Sequence, residues 1–531
     1  MKNIVYKVGN ADMNKNEERK GLFHIMFKRS TLVILLLLVQ IIFFIVCINW
    51  INEYFIKFYT ICYILGSILV IYIVNTKGNP MYKIAWVIPI LVIPVFGALL
   101  YIFVRLQLET KLMSARIEKI RRKTKKYLKT DEMIKHELEN NNPALNNLAN
   151  YLEEFAGYPT YKNTKAKYFP SGEAKLEELK LELEKAKKFI FLEYFIVAEG
   201  KMWGEILEIL KRKVKEGVEV RFMYDGTCTF KLLPFSYPKY MNSLGIKCKM
   251  FSPIRPVLST YQNNRDHRKI VVIDGHTAFT GGINLADEYI NEKELFGHWK
   301  DTAIMVKGEA VKSFTIMFLQ MWDVTEKSEE DYEKYINDIE YENDLHLKEE
   351  GYMIPFGDSP MDRENVGELV YMDIINKSTG YVHITTPYLI LDNEMITTLK
   401  YAAKCGKDIK IIMPHIPDKW YAYWVSRTYY EELIEAGVKI YEYTPGFIHA
   451  KVFTSDDVKA VVGTINLDYR SLYLHFECAN YIQNNEIVKE IEKDFQDTLD
   501  KSERITLENC KKFSIYKKII GRLLRLFAPL L

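Results

Sequence analysis

The sequence predicts an α/β fold in which two similar domains, related by a pseudo-twofold duplication within one chain, follow a set of membrane-spanning helices. Three observations carry that expectation. Strand-like runs of β-branched and aromatic residues alternate with amphipathic helical runs from Tyr168 onward. An eighteen-position pattern occurs twice, at residues 267–284 (HRKIVVIDGHTAFTGGIN) and 449–466 (HAKVFTSDDVKAVVGTIN). Three apolar runs stand before residue 105. A chain of 531 residues is also too long for a single core, so two or three domains are expected.

Residues 1–30 form a basic tail, with Arg19, Lys20, Lys28 and Arg29 just before apolar sequence. No small-residue cleavage site marks it as a removable signal. Residues 31–104 form the membrane region. The run 31–50 is uncharged and long enough to span a bilayer. A second span is expected at 56–75, with Gly66 and Ser67 inside it. A third run, 84–104, contains Pro89, Pro94 and Gly97. Basic residues precede the first run, and Arg105, Arg116, Lys119 and Arg121 follow the third, so both ends are expected in the cytoplasm. Three full crossings cannot meet that condition. Prolines remove backbone donors and kink helices, so the third segment is expected to re-enter or to lie near the surface.

Residues 105–165 read as a basic helical linker. Its strongly basic part, 111–129, suits either water or anionic lipid, at about 1 kcal/mol per well-placed basic residue. The following NNNPALNN reads as a turn-rich break. The first α/β domain is expected over 166–340. It contains a strand (188–197), an amphipathic helix (203–217), a strand (218–225) and a helix-Gly-strand unit (240–251) before the first pattern copy. The second domain, 341–512, repeats that order with 381–390, 395–406, 408–414 and 429–443 before the second copy. The acidic stretch 325–350 between them reads as a solvated connector. Residues 513–531 place Ile and Leu against Lys and Arg at helical spacing, as an amphipathic C-terminal helix that either lies in a membrane interface or docks on the catalytic part.

Composition narrows the function. A net charge of +3 argues against a nucleic-acid binder built on bulk positive charge. Seven cysteines without a CxxC pair indicate neither a disulfide framework nor a zinc site, and a reducing, cytoplasm-facing catalytic part.

Each pattern copy has the form H-x-K-x4-D followed by a Gly-rich turn and Asn. Read as strands, His267 and Lys269 share one face, as do His449 and Lys451. An imidazole beside an ammonium suits an anionic substrate: the lysine holds a phosphate, and the imidazole serves as nucleophile or as acid and base. Asp274 and Asp456 sit at odd offsets in turn-like sequence, so they read as supporting groups first and chemical participants second. The glycines allow close backbone approach, and Asn284 and Asn466 are candidates to donate amide hydrogens to phosphoryl oxygens. Two imidazoles on one phosphodiester permit covalent catalysis: one attacks phosphorus, while the other protonates the leaving alkoxide and then deprotonates the incoming hydroxyl. Glu193 and the Tyr388 region occupy equivalent strands before the two copies, as pocket lining or as core.

The paired motifs resemble those of the phospholipase D superfamily. The flanking LEYFI, HWKDT, TTPYL and NLDYRSLYLHFE are similar to the bacterial cardiolipin synthase branch. The resemblance covers essentially the whole chain and implies two phospholipase D-like domains. It also implies that each half's later carboxylate contacts the other half's histidine, pairing Glu477 with His267 and Asp301 with His449; pairing with Arg470 or Lys300 is the alternative. Family usage favours His267 as nucleophile. The implied reaction converts two phosphatidylglycerol molecules into cardiolipin and glycerol without metal or cofactor. The implied setting is a multi-pass protein of the bacterial cell membrane, among anionic lipids, with catalytic domains facing the cytoplasm. A membrane phospholipase D using water, a nuclease of the superfamily and a catalytically silent scaffold are the rival readings.

Overall fold

The computed structural model describes residues 52–105, 108–254, 263–326, 330–336, 350–362 and 364–530, with isolated helical positions between 38 and 46. The expected span 31–50 therefore lies mostly outside the described residues. So do most of the acidic connector 325–350 and the expected domain boundary at 340. The chain divides into two compact units, one ending at Leu108 and the other beginning at Glu109.

The first unit contains α1 (Asn52–Val74), α2 (Pro80–Val92) and α3 (Pro94–Arg105). Within α1, Ile56–Val74 is long and apolar enough to cross a membrane. The run 84–104 is divided between α2 and α3. The break falls at Ile93, whose N–H still reaches Pro89 O at 2.9 Å, and Pro94 opens the next helix. Gly97 permits the return, since a Cβ there would lie 2.5 Å from Pro89 O. Ile73, Ile90 and Tyr101 form the small core of this unit.

The second unit opens with α4 (Leu108–Thr124), α5 (Glu132–Asn141) and α6 (Pro143–Tyr151). These helices are docked, not a detached linker. Ser114 Oγ donates to Met361 O at 2.7 Å, Arg121 pairs with Asp362 at 2.8 Å, and Gln320 donates to Thr124 Oγ1 at 2.7 Å. The expected break at NNNPALNN shrinks to one residue. Asn142 caps α6 by accepting Leu145 N–H at 3.1 Å, and Pro143 takes the first helical position, where no N–H is needed.

The first half then runs β1 (Thr164–Phe169), α7 (Gly172–Lys185), β2 (Phe189–Tyr194), α8 (Lys201–Lys215), β3 (Glu219–Asp225), α9 (Tyr237–Ser243), β4 (Lys247–Phe251), β5 (Arg265–Asp266), β6 (Ile270–Ile273), β7 (Thr277–Gly281), β8 (His298–Lys300), β9 (Ala303–Gly308) and α10 (Val311–Val324). The second half runs β10 (Tyr352–Asp358), α11 (Val366–Lys377), β11 (Tyr381–Thr385), β12 (Leu389–Ile390), α12 (Asn393–Lys404), β13 (Asp408–Pro414), α13 (Trp420–Glu435), β14 (Lys439–Tyr443), β15 (Gly446–Ile448), β16 (Val452–Ser455), β17 (Lys459–Gly463), β18 (Leu467–Asp468), α14 (Tyr469–Tyr473), β19 (His475–Gln483), α15 (Ile487–Leu499) and β20 (Ser502–Ile505). Two further helices, α16 (Leu507–Lys512) and α17 (Ile515–Arg525), close the chain.

The main sheets have matching orders. The first is β1-β9-β7-β6-β2-β3-β4 and the second is β10-β19-β17-β16-β11-β13-β14, extended by β20. In each, three parallel strands joined by helices pair antiparallel with the strand that follows a motif histidine. The duplication seen in the sequence is therefore a duplication of topology. The halves are not separate bodies, because one core joins them: Val272 and Ile304 from the first sheet, Val462 and Ile482 from the second, and Phe314, Phe318, Val488 and Ile491 from α10 and α15. Helix α10 had no amphipathic signal because nearly every residue from Phe314 to Leu319 is fully buried, leaving no polar face to set a period.

Candidate active site

The expectation that His-x-Lys lies within a strand needs correction. Residues 267–269 and 449–451 are extended links where the chain changes partners. Before His267, β5 pairs in parallel with the start of β19 from the other half, Asp266 standing opposite Phe476. Before His449, β15 pairs with β8, Ile448 standing opposite Lys300. After each lysine the chain enters its own sheet. The exchange is sealed by His267 N–H donating to Phe476 O at 2.9 Å and His449 N–H donating to Lys300 O at 2.7 Å. Each histidine is thereby set beside the residue that precedes the other half's carboxylate.

The side chains follow. His267 Nδ1 lies 2.9 Å from Glu477 Oε1, and His449 Nδ1 lies 2.7 Å from Asp301 Oδ2. An ionised carboxylate only accepts, so each Nδ1 carries the proton and each Nε2 keeps its lone pair. Both carboxylates are fully buried. Glu477 also accepts from Ser471 Oγ at 2.8 Å and from the Thr464 hydroxyl. Asp301 accepts Thr302 N–H at 2.8 Å. Lys300, the alternative partner considered for Asp301, pairs with Asp494 at 2.8 Å.

One asymmetry departs from the duplication. Gly282 and Thr464 hold equivalent pattern positions. A Cβ on Gly282 would lie 2.0 Å from Asp301 Oδ1, so the first copy needs glycine for the carboxylate to approach. The second copy instead uses the Thr464 hydroxyl as a donor.

Lys269 and Lys451 are buried, and each ammonium donates to the carbonyl oxygen of its own histidine. Burial pushes Lys269 down to about 8 and Lys451 to about 7, and raises Asp301 to about 6. Burial, with the charges of Lys269, Lys451 and Lys419, holds both imidazoles well below the ordinary histidine range; His449 also presses on His267. The two imidazoles and two lysines thus share one electrostatic environment, poised for an anion. In the unliganded enzyme, the acid limb of kcat/KM should come from protonation of Asp301 near pH 6, since both imidazoles stay neutral well below the usual histidine value. kcat/KM should fall as pH rises through about 7 to 8, where the lysines lose charge. A pH–rate profile that stays flat from about pH 7 to 9 would contradict this electrostatic picture.

Aromatic rings wall the site. Phe195 packs edge-on at 4.8 Å from His267, Tyr289 at 5.5 Å from His449, and Trp299 at 5.6 Å from His449. His475 lies 5.3 Å from the His267 ring. Sequence reasoning had not singled out Phe195, Tyr289, Thr464, Ser471 or His475. Thr464 carried a signal as the residue that differs from its glycine counterpart, and Phe195, Ser471 and His475 lie within the LEYFI and NLDYRSLYLHFE flanks. Among the described residues, His267, His475 and Glu477 are the one group with ligand-type atoms within 4.8 Å of one another. The oxygens of Glu477 already accept from an imidazole and two hydroxyls.

Several expectations are revised. Asp274 and Asp456 do not reach the imidazoles. Asp274 accepts the N–H groups of Lys187, Lys188 and Phe189, each at 2.7 Å, and Asp456 accepts those of Thr379, Gly380 and Tyr381 at 2.7 to 2.9 Å. Each aspartate sits at positive φ in the turn after its strand and clamps the entry of the neighbouring strand. Asp274→Ala should cost about 1–3 kcal/mol of stability by removing the acceptor of three backbone donors, of which Phe189 N–H is buried, without removing catalysis from the folded fraction. Thermal denaturation beside active-site titration checks this. Asn284 accepts Ile196 N–H at 3.0 Å and donates to Tyr289 Oη at 2.7 Å, so it positions the ring against His449. Asn466 is buried with an unpartnered carbonyl oxygen. Glu193 lies behind the site, 2.5 Å from Arg268, and Tyr388 donates to Asp418 at 2.6 Å.

A family model described as cardiolipin synthase, PLD-like domain, matches residues 179–322 and 371–499, and a phospholipase D-nuclease N-terminal model matches 64–105. An uncharacterised protein of Streptococcus mutans is 52% identical over 88% of this chain and 100% of its own length. Cardiolipin synthase 2 of Bacillus cereus is 33% identical over 85% of this chain and 87% of its own length. The crystal structure of Haemophilus influenzae phosphatidylserine synthase shares the fold, with a TM-score of 0.53 and 15% identity over 73% of this chain and 97% of that one. The two-half fold and paired motifs are those of the phospholipase D superfamily, and within it this chain belongs to the cardiolipin synthase family.

Proposed function

We propose that the chain is a cardiolipin synthase that transfers a phosphatidyl group between two phosphatidylglycerol molecules at the bacterial cell membrane. The observation that carries this reading is the pair of imidazoles, each held by the opposite half's carboxylate and both lying among Lys269 and Lys451. His267 Nε2 attacks phosphorus, and the P–O bond to the headgroup glycerol breaks. The departing oxygen takes a proton from His449, which the bound phosphodiester's negative charge and Asp301 favour in its imidazolium form. A phosphatidyl-histidine and free glycerol result. The terminal hydroxyl of a second phosphatidylglycerol then gives its proton to His449 and attacks phosphorus, releasing His267 and forming cardiolipin. Lys269 and Lys451 offset charge on the equatorial oxygens, with Asn466 as a further donor.

Membrane anchorage supports the same reading. Helix α1 and the further apolar run 31–50 would confine enzyme and both lipids to one surface, raising their effective concentration. Basic residues on both flanks favour a multi-pass arrangement with the catalytic part in the cytoplasm.

The test is product analysis with the purified full-length protein in phosphatidylglycerol vesicles. Cardiolipin with stoichiometric glycerol is expected. Phosphatidic acid as the main product would replace transferase with hydrolase, and no lipid product from intact protein would favour a silent scaffold.

A further inference from the structure

Helix α17 docks on α13. Gly521 allows the contact, because a Cβ there would lie 2.6 Å from Trp424 O, and the Arg525 guanidinium stacks 4.0 Å over Tyr429. Docking uses one face only. Ile515, Tyr516, Ile519, Leu523 and Phe527 remain exposed, Ile515 at 75%. Trp420, 54% exposed at the start of α13, continues the patch: it packs 4.5 Å from Trp424, which lies 6.0 Å from Tyr516. Residues 509–531 carry six basic side chains and no acidic one. An apolar stripe with purely basic flanks complements an anionic bilayer surface in both respects.

The patch starts beside a residue linked to the paired histidines. Lys419, next to Trp420, acts electrostatically on both His267 and His449 and lies 5.0 Å over the Tyr388 ring. The other half has a counterpart. Residues 415–420 follow β13, and residues 226–240 follow the equivalent strand β3. In that second loop Phe230, Leu232 and Phe235 are exposed, Phe235 at 63%. It too is tied to the site, since Cys228 Sγ donates at 3.2 Å to the carbonyl of Phe195, whose ring packs on His267.

We propose that these two loops and α17 form a rim that seats the catalytic mouth in the headgroup layer of an anionic bilayer. The aromatic and aliphatic side chains enter the interface, and the basic flank meets lipid phosphates. A lipid phosphodiester then reaches the imidazoles while its acyl chains stay in the membrane. The proposal rests on the lipid-substrate reading above, but its first test does not depend on catalysis.

That test places a nitroxide on a single cysteine at Phe235, Leu523 or, as control, the exposed Tyr401 of α12, in full-length protein reconstituted into phosphatidylglycerol–phosphatidylcholine vesicles. Collision rates with oxygen and with a water-soluble nickel chelate report depth. Labels at 235 and 523 are expected in the interface and the label at 401 in water; labels at 235 and 523 as wet as 401 would overturn the rim. In a second test, Ile519→Ser with Leu523→Ser should raise the vesicle KM by about tenfold or more, the equivalent of losing part of two buried aliphatic side chains. Turnover of a short-chain, monomeric phosphatidylglycerol should stay unchanged. An equal loss on both substrates would also sink the proposal.

Discussion

On the proposed mechanism, alanine at either His267 or His449 is expected to lower kcat by roughly ten-thousandfold or more, and replacing both should cost little beyond replacing one. In that mechanism the two imidazoles would act as a unit: without a nucleophile there would be no adduct for the acid to serve, and without the acid the glycerol alkoxide would leave poorly. A phosphatidyl ester with a p-nitrophenol leaving group separates the roles, because nitrophenolate departs without a proton. With that substrate, His449→Ala should still release a burst of nitrophenol and leave a phosphatidyl adduct on His267, detectable by mass spectrometry after alkaline quench. His267→Ala should give no burst. The opposite pattern would exchange the roles of the two histidines.

Asp301→Asn is expected to lower kcat by about a hundred- to ten-thousandfold while leaving the protein folded. The carboxylate accepts from His449 Nδ1 at 2.7 Å and also accepts Thr302 N–H. An amide at that place can present N–H to Nδ1. The imidazole then carries its proton on Nε2, where the reaction needs a lone pair for the incoming hydroxyl. The effect of Glu477→Ala should be larger on the fold. It strands the Ser471 hydroxyl and His267 Nδ1 in a buried place, while Thr464 Oγ1 keeps Cys478 O as an acceptor, at a cost of about 3 kcal/mol. Rates and thermal denaturation measured on the same preparations distinguish the two. An Asp301→Asn enzyme with wild-type kcat would remove the carboxylate from the mechanism.

The site was legible as far as spacing could carry it. Both histidines, both lysines and their duplication stood in the sequence, because an eighteen-position pattern survives without knowledge of contacts. The aspartates were harder to interpret. Residue type and turn sequence marked Asp274 and Asp456 as important, but only the strand neighbours show that their acceptors serve backbone N–H groups away from the imidazoles. Phe195, in the apolar LEYFI run, looked like core until a partner ring was located, and Tyr289, in the polar run 286–294, had no pattern around it that marks a site residue.

By itself, the sequence determined the α/β class, the repeated order of elements, a membrane-competent run at 56–75 and the four side chains, His267, Lys269, His449 and Lys451, proposed to carry the chemistry. These are properties of period, length and residue chemistry, which are local. Only the tertiary structure decided that β5 leaves its own half to pair with β19 and β15 with β8, and that α4 to α6 pack onto the catalytic body. Such choices depend on backbone donors satisfied some 150 to 210 residues away, His449 N–H by Lys300 O and His267 N–H by Phe476 O, and no local pattern encodes a partner that distant; the crossed histidine–carboxylate pairs were anticipated by family resemblance alone.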